Sequence, residues 1–187
     1  RKCEYVFLAN GVPKVQLSVL DQVAKPKLVV ADTMDLWINI ARDELMTLLK
    51  RLDGIMLNDQ EAKLLADDDN VVRAGQKVLE MGPRFVIIKK GEHGAMFFSK
   101  QETFVMPAFP TSNVVDPTGA GDSFAGGMMG YLAAQNRADH AALKTALVYG
   151  TLVAAFTVED FSLDQLRRIG RADLDRRLEE YRKMLTF

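Results

Sequence analysis

Short apolar runs alternate with amphipathic segments along the first half of the chain. The apolar runs predict strands at residues 5–9, 27–31, 54–57 and 85–89. Because these runs are apolar at nearly every position, rather than at every second one, they are typical of parallel strands covered by helices. The pattern therefore predicts an α/β fold with a mostly parallel sheet.

The segments between the strands have the spacing of amphipathic helices. Pro13 opens a helix in which Val15, Val19 and Val23 share one face. Asn58 is a good N-cap for a short helix at residues 60–65. Further helices are predicted at residues 43–52, 70–81, 119–134 and 139–157, and a hairpin, the one local antiparallel signal, at residues 95–98 and 103–106.

The tail, residues 163–185, predicts a charged helix on the outside of the fold. Its acids and bases fall four residues apart in the pairs Asp164/Arg168, Asp173/Arg177 and Glu179/Lys183. Because the arginines are interleaved with acids, they predict a solvated face rather than a patch for polyanions. The sequence contains no internal repeat, low-complexity tract or Gly/Ser linker, so a single domain over residues 1–187 is expected.

Composition narrows the class of function and the compartment. The net charge of −1 gives no general attraction to nucleic acid or to a membrane surface. The one cysteine, Cys3, cannot form an internal disulfide, so a reducing cytoplasm is expected. No apolar run approaches the roughly 20 residues that span a bilayer, and the start predicts no signal peptide. A start without Met that leads directly into an apolar run predicts a polypeptide that begins inside a longer protein.

The chemistry of the chain is concentrated at Gly119, Ala120, Gly121 and Asp122. These small residues let the backbone approach a ligand, and the first N–H groups of the helix that follows have no internal acceptor. Those groups, with the positive end of the helix dipole, form a site for phosphate oxygens. Asp122 is placed to take a proton from a hydroxyl that attacks the phosphate. The alternative is that the small residues only permit tight helix packing and that Asp122 is an ordinary first-turn acid.

The whole string from Asp116 to Gly127, Asp-Pro-Thr-Gly-Ala-Gly-Asp-Ser-Phe-Ala-Gly-Gly, closely resembles the second signature of the ribokinase-like (PfkB) carbohydrate kinases. The resemblance implies a three-layer α/β/α sandwich with a mostly parallel sheet. It implies that Gly119, Ala120 and Gly121 form the anion hole and that Asp122 is the catalytic base. It also implies ATP and Mg²⁺ as cofactors and a sugar or nucleoside as the small-molecule substrate.

Two further segments match motifs of that family. Lys89, Gly91 and Gly94 match the segment that lies along the ATP phosphates and ribose, and open α/β sheets hold nucleotides at the ends of parallel strands. Asn58 and Glu61 resemble the Asn-x-x-Glu motif that organises magnesium-bound water and the phosphates. The same pair also fits a capping box, and both roles can hold at once. His93, in the middle of the turn, is expected at the surface.

In family members that need a monovalent cation, two loops supply its oxygens. One corresponds here to Asp116 and Thr118, and the other to residues 157–161. The second loop has no glycine and carries two acids, so it departs from the ribokinase pattern and leaves potassium binding open. Asp32 falls where the family often has an Asp-x-Asn near the phosphates or the substrate, although Asp35 replaces the Asn.

The resemblance covers only the later portion of the family sequence, because no Gly-Gly-x-x-x-Asn motif for the sugar and no strand-rich lid are found. The N-terminal part and lid are therefore expected to be absent, and the chain is expected to be either a fragment of a longer kinase or a naturally truncated relative. The sequence predicts the catalytic part of a kinase that moves the γ-phosphoryl group of ATP to a primary alcohol of a sugar or related molecule. A nucleoside kinase of the same family and a truncated, non-catalytic nucleotide-binding domain are the alternatives. The chain alone is expected to be inactive, and an uncovered sheet edge favours self-association, such as a homodimer.

Overall fold

The computed structural model describes residues 3–186. The chain divides into two units, Arg1–Met106 and Pro107–Phe187. Within the described residues, the first unit holds all six strands and five α-helices, and the second unit holds four α-helices. The expectation of one domain over residues 1–187 stays a prediction.

The six strands of the first unit form one sheet. They are β1 (Tyr5–Leu8), β2 (Leu28–Asp32), β3 (Gly54–Asn58), β4 (Phe85–Lys89), β5 (Ala95–Ser99) and β6 (Thr103–Met106). The strands lie side by side in the order in which they occur along the chain. Strands β1 to β4 are parallel, whereas β5 is antiparallel to both β4 and β6. The α/β class, the mostly parallel sheet and the hairpin are therefore confirmed.

The helices of the first unit pack on one face of the sheet. They are α1 (Pro13–Asp21), α2 (Asp35–Ile40), α3 (Arg42–Leu49), α4 (Asp59–Ala66) and α5 (Val71–Glu80). Successive parallel strands that are added in one direction place their crossover helices on the same side, because such crossovers are right-handed. Alternate strand residues and helix residues form one apolar core, which includes Leu8, Ala31, Ile55, Leu57, Val86, Ile88, Leu45, Leu48, Leu65 and Val78.

Helix α1 buries a different face from the one that its valines predict. Pro13, Gln16 and Leu20 are buried, whereas Val15 is 60% exposed and Val19 is also exposed. Gln16 faces inward because its Nε2 donates to the carbonyl oxygens of Leu8, Ala9 and Asp32, at 3.2, 2.9 and 3.2 Å. Carbonyls at the ends of buried strands need such a donor. The strand-end carbonyls, which require a hydrogen-bond donor, therefore determine which face of α1 is buried, and the row of valines does not.

The second unit is helical. It contains α6 (Ala120–Gln135), α7 (His140–Val158), α8 (Asp164–Arg168) and α9 (Arg171–Leu185). Helices α6 and α7 approach closely at glycines: a Cβ on Gly150 would lie 2.7 Å from the carbonyl oxygen of Phe124. By length and composition alone α7 could cross a membrane, but 61% of its most apolar window is buried inside the protein. Such burial is typical of a core helix.

The charged tail forms two helices, not one, and its ion pairs differ from the predicted ones. Gly170 separates α8 from α9, and its N–H donates to Asp173 Oδ2 at 2.9 Å. The side chains pair instead as Arg168–Asp160, Arg176–Asp173, Arg182–Glu179 and Arg177–Glu159. The predicted pairs are therefore wrong: Asp173 serves the helix start, and Arg177 turns away from solvent towards Glu159.

Candidate active site

The segment before α6 forms a tight turn from Asp116 to Gly119. Asp116 Oδ1 accepts the N–H of Thr118 at 2.9 Å, and the Ala120 N–H donates to the Pro117 carbonyl at 3.1 Å. Gly119 is the N-cap of α6 and adopts φ 78° and ψ 1°, the left-handed region that glycine occupies most readily. A Cβ at this position would meet nothing within 4 Å. Gly119 is thus required by backbone conformation and faces open space.

The start of α6 presents donors without acceptors. Within the part of the chain that the structure describes, the N–H groups of Gly121 and Asp122 have no hydrogen-bond partner. After Ala120, Ser123 is the next residue to donate back, to Gly119 O at 2.8 Å. The Asp122 side chain is exposed in this first turn. Free N–H groups at the positive end of a 16-residue helix are suited to an anion. Tight helix packing accounts for Gly127, whose Cβ would lie 3.0 Å from the Tyr149 carbonyl, but not for Gly119.

Asp116 stays ionised within the turn, because the hydrogen bond from the Thr118 N–H lowers the pKa of its carboxyl group. In the second loop, the Val158 carbonyl accepts the N–H groups of Val115 and Asp116 at 2.8 and 3.3 Å. Asp116 Oδ1 and the Val158 carbonyl, one oxygen in each of the two loops, thus already accept N–H groups. The expectation of a monovalent cation at Asp116 and Thr118 stays a prediction.

In the first unit, Asn58 and Glu61 form a complete capping box at the start of α4. Asn58 Oδ1 accepts the Glu61 N–H at 2.7 Å, and Glu61 Oε2 accepts the Asn58 N–H at 2.6 Å. Burial raises the pKa of the Glu61 carboxyl, against the lowering effects of the Asn58 N–H and of Lys89. The carboxylates of Asp32 and Asp35 raise it further. The structural role of this motif is therefore confirmed.

Lys89 ends β4 beside Asn58, with which it is in register on β3. Its Nζ lies 3.0 Å from Asp32 Oδ2, and both side chains are mostly buried. Asp32, the last residue of β2, also accepts the N–H of Thr33 at 2.9 Å. The strand ends thus bring together three of the predicted residues, Asn58, Glu61 and Lys89. The sequence did not predict that Lys89 would be paired with Asp32.

The turn after β4 has the backbone that its glycines allow. Gly91 and Gly94 have φ values of 56° and 85°, and the Lys90 N–H donates to the Gly94 carbonyl at 2.7 Å. His93 is exposed, as predicted, and lies 3.8 Å from the Glu92 carboxylate. A second glycine with positive φ brings the chain back to β5 within a few residues. The turn thereby leaves its backbone exposed at the end of a parallel strand.

A direct metal site is not built into this cluster. Among residues 3–186, no group of three or more His, Cys, Asp or Glu side chains is arranged to hold a metal ion. Glu61 uses Oε2 for the Asn58 N–H, which leaves Oε1 for a water molecule. Mg²⁺ keeps several of its waters in proteins, so Glu61 fits a contact through water better than a direct one.

The chain matches the family model "pfkB family carbohydrate kinase" over residues 5–166. It is 33% identical over 90 residues to a cytidine kinase of Thermococcus kodakarensis. The aligned residues make up 47% of this chain and 32% of that protein. It resembles the structure of aminoimidazole riboside kinase from Salmonella enterica, complexed with aminoimidazole riboside and an ATP analogue. There the TM-score is 0.69 and the identity 27%, over 81% of this chain and 52% of that one.

A third relative is a putative ribokinase II of E. coli, whose structure contains ATP and Mg²⁺. The TM-score is 0.68 and the identity 26%, over 89% of this chain and 52% of that one. The chain thus spans about half the length, or less, of the relatives that it matches. The six-stranded, mostly parallel sheet and the family match over residues 5–166 lead to one conclusion: this chain belongs to the pfkB family of carbohydrate kinases.

Proposed function

We propose that this chain is the nucleotide-binding and catalytic part of an ATP-dependent kinase that phosphorylates a primary hydroxyl of a sugar or related small molecule. The observation that carries the proposal is the start of α6. There, two N–H groups without acceptors follow the left-handed Gly119, and the exposed Asp122 carboxylate stands beside them. An anion site with an adjacent base is what phosphoryl transfer to an alcohol requires.

The proposed reaction uses Asp122 as the general base. The acceptor hydroxyl gives its proton to the Asp122 carboxylate while its oxygen bonds to the γ-phosphorus of ATP. The bond between that phosphorus and the bridging oxygen breaks, and ADP leaves with the electron pair. In the anion hole proposed at Gly119, Ala120 and Gly121, the free N–H groups of Gly121 and Asp122 would face the oxygens on which negative charge is spread during transfer. Their fixed orientation lowers the cost of reorganisation in the transition state.

The strand-end residues of the first unit bind the nucleotide in this proposal. Lys89 and the turn at Gly91 and Gly94 would hold the phosphates and ribose, with the Lys89 ammonium held in place by Asp32. Asn58 and Glu61 would organise the water around Mg²⁺. When bound, Mg²⁺ neutralises charge on the phosphates, and a cation near Glu61 would favour the charged form that burial disfavours.

For the molecule that accepts the phosphoryl group, we propose only a chemical class. The names of two relatives, cytidine kinase and aminoimidazole riboside kinase, support a nucleoside as the second candidate beside a free sugar. Both carry a primary hydroxyl, so the proposed chemistry is the same. The chain has a single cysteine, which supports the reducing cytoplasm as the proposed location of this kinase.

The test replaces the proposed base in the complete protein that contains this chain. Release of ADP is measured with sugars and nucleosides in turn, and the best acceptor is then used with Asp122→Asn. This change keeps the size of the side chain and removes its proton affinity. We expect kcat to fall by roughly 100- to 10,000-fold, with little change in the affinity for ATP.

The matched control is Asp43→Asn, because Asp43 is also an exposed first-turn acid, at the start of α3. It should leave kcat unchanged, which separates proton transfer from a general helix-dipole effect. An Asp122→Asn protein that keeps more than about a tenth of the wild-type rate would contradict the role of the base. Binding of ATP without ADP release for any acceptor would instead support the non-catalytic alternative.

A further inference from the structure

Arg177 differs from its neighbours in the tail because its side chain is buried. It is 14% exposed, whereas the adjacent Arg176 side chain is 65% exposed. The Arg177 guanidinium lies 3.3 Å from the ring centroid of Phe156 and 4.9 Å from that of Phe109. Its Nη1 is buried and has no hydrogen-bond partner in residues 3–186. A planar guanidinium can stack flat on aromatic faces, so Arg makes this contact more often than Lys does.

The ionic partner of Arg177 is Glu159, the residue that follows α7. Arg177 Nη2 donates to Glu159 Oε2 at 2.7 Å, and the Glu159 side chain is only 12% exposed. A buried pair adds little to stability on balance, because desolvation offsets the attraction. Removing one partner is costly, however, because the other charge is left buried and unpaired. The pair therefore joins α9 to the end of α7.

The backbone around Glu159 contacts the segment that leads into the turn from Asp116 to Gly119, which is here called the phosphate-binding turn. The Glu159 carbonyl accepts Nδ2 of Asn113 at 3.1 Å. The preceding carbonyl, of Val158, accepts the N–H groups of Val115 and Asp116. Asp116 is the first residue of the turn. The ion pair is thus linked to the turn through hydrogen bonds of the main chain, although Arg177 itself makes no described contact with the turn.

Helix α9 also holds the start of the same segment. The Tyr181 hydroxyl donates to the Pro107 carbonyl at 2.5 Å, and burial raises the pKa of Tyr181 to about 12, so the hydroxyl keeps the proton that it donates. The ring of Phe109 contacts both Tyr181, at 6.1 Å between centroids, and the Arg177 guanidinium. Residues 107–116 are therefore held by α9 at their start and by the Val158 and Glu159 carbonyls at their end.

We infer that Arg177 is a positioning residue for the phosphate-binding turn. Through Glu159 it fixes the backbone of residues 113–116, and with it the direction of the N–H groups at the start of α6. The inference rests on the proposed function of that turn. The nearby Arg168–Asp160 pair is more exposed, so it contributes little to this arrangement.

The test compares Arg177→Met with Arg176→Met in the complete protein. The two variants make the same chemical change on adjacent positions of one helix, one buried and one exposed. The readouts are hydrogen exchange of individual backbone amides and the affinity for ADP by calorimetry. For Arg177→Met we expect exchange at Val115 and Asp116 to be at least about tenfold faster relative to the α7 amides. We also expect the affinity for ADP to fall at least about tenfold, while Arg176→Met matches the wild type in both.

A second variant, Arg177→Met with Glu159→Met, removes both charges and keeps the test informative if the single variant does not fold. Faster exchange that is uniform over all helices would assign Arg177 a purely structural role and overturn the inference. Faster exchange at Val115 and Asp116 with unchanged ADP affinity would also overturn it, as would wild-type behaviour of the double variant. If the wild-type protein binds no ADP, the proposed function fails, while the exchange at Val115 and Asp116 still decides whether Arg177 holds the turn.

Discussion

Replacing Gly119 with alanine isolates the cost of one backbone conformation. Gly119 has φ 78°, and its added Cβ would meet no atom within 4 Å, so the substitution introduces strain without a clash. An L-residue in the left-handed region costs about 1–2 kcal/mol. Lower entropy of the unfolded chain offsets about 0.4–1 kcal/mol of this cost. We therefore expect Gly119→Ala to lower the free energy of unfolding by about 1 kcal/mol.

Two glycines within α6 serve as controls. Substitution of one should raise the free energy of unfolding, and substitution of the other should introduce a steric clash. Gly126 also faces open space but lies inside the helix without a positive φ, so Gly126→Ala should stabilise by about 0.5–1 kcal/mol. A Cβ on Gly127 would lie 2.9 Å from Val153 Cγ2 and 3.0 Å from the Tyr149 carbonyl. Gly127→Ala forces α6 and α7 apart, which should destabilise by about 1–3 kcal/mol.

The assay is urea unfolding of the three variants and the wild type, followed by circular dichroism, with the free energy extrapolated to water. A parallel thermal scan should shift by about 2–4 °C for each kcal/mol. A Gly119→Ala protein as stable as the wild type, or more stable, would refute the left-handed conformation at this turn. Equal stability of Gly126→Ala and Gly127→Ala would refute the close approach of the two helices.

Two further predictions concern the strand-end cluster. Burial raises the pKa of Glu61 above its ordinary value of 4.5 in the folded protein, so protonation of Glu61 favours folding, and this stability is lost as pH rises through the raised pKa. Unfolding free energies measured between about pH 4 and pH 7 should show that Glu61→Gln removes this pH dependence. Parallel curves of unfolding free energy against pH for the variant and the wild type would contradict the prediction. Asp32→Asn leaves the mostly buried Lys89 without its partner and should destabilise by about 3 kcal/mol in urea unfolding. Asp59→Asn, which breaks a more exposed 3.9 Å pair with Lys63, should cost less than about 1 kcal/mol, and equal losses would contradict the role of burial.

The fold was predictable from sequence where local signals and burial agree. The strand at residues 85–89 is confirmed at its exact bounds, because it is apolar throughout and is bounded by Gly82-Pro83 and by Lys90-Gly91. The predicted face of α1 was wrong because strand-end carbonyls recruit Gln16, a requirement that periodicity does not contain. The predicted ion pairs of the tail were wrong for a similar reason. Spacing along a helix shows which side chains of that helix are close together, but it does not show that Glu159, which lies outside the helix, pairs with Arg177 in place of Asp173.

The candidate site was predictable where chemistry and spacing coincide in one short segment. The capping box at Asn58 and Glu61 is local, so sequence alone identified both hydrogen bonds. The pairing of Asp32 with Lys89 joins strands that are 57 residues apart, and no local pattern records such a distance. The buried position of Arg177 is equally invisible, because it stands among exposed arginines of the same helix.

The order of the strands has a consequence for how the first unit is made. Because β1 to β6 lie in chain order, each of the strands β2 to β6 pairs with the strand synthesised just before it. Pairings between neighbours along the chain close shorter loops than pairings between distant strands would, which lowers the entropy cost of closure. During synthesis these six strands can therefore be added one by one from β1 towards β6, and each crossover helix can cover the growing core before the next strand emerges.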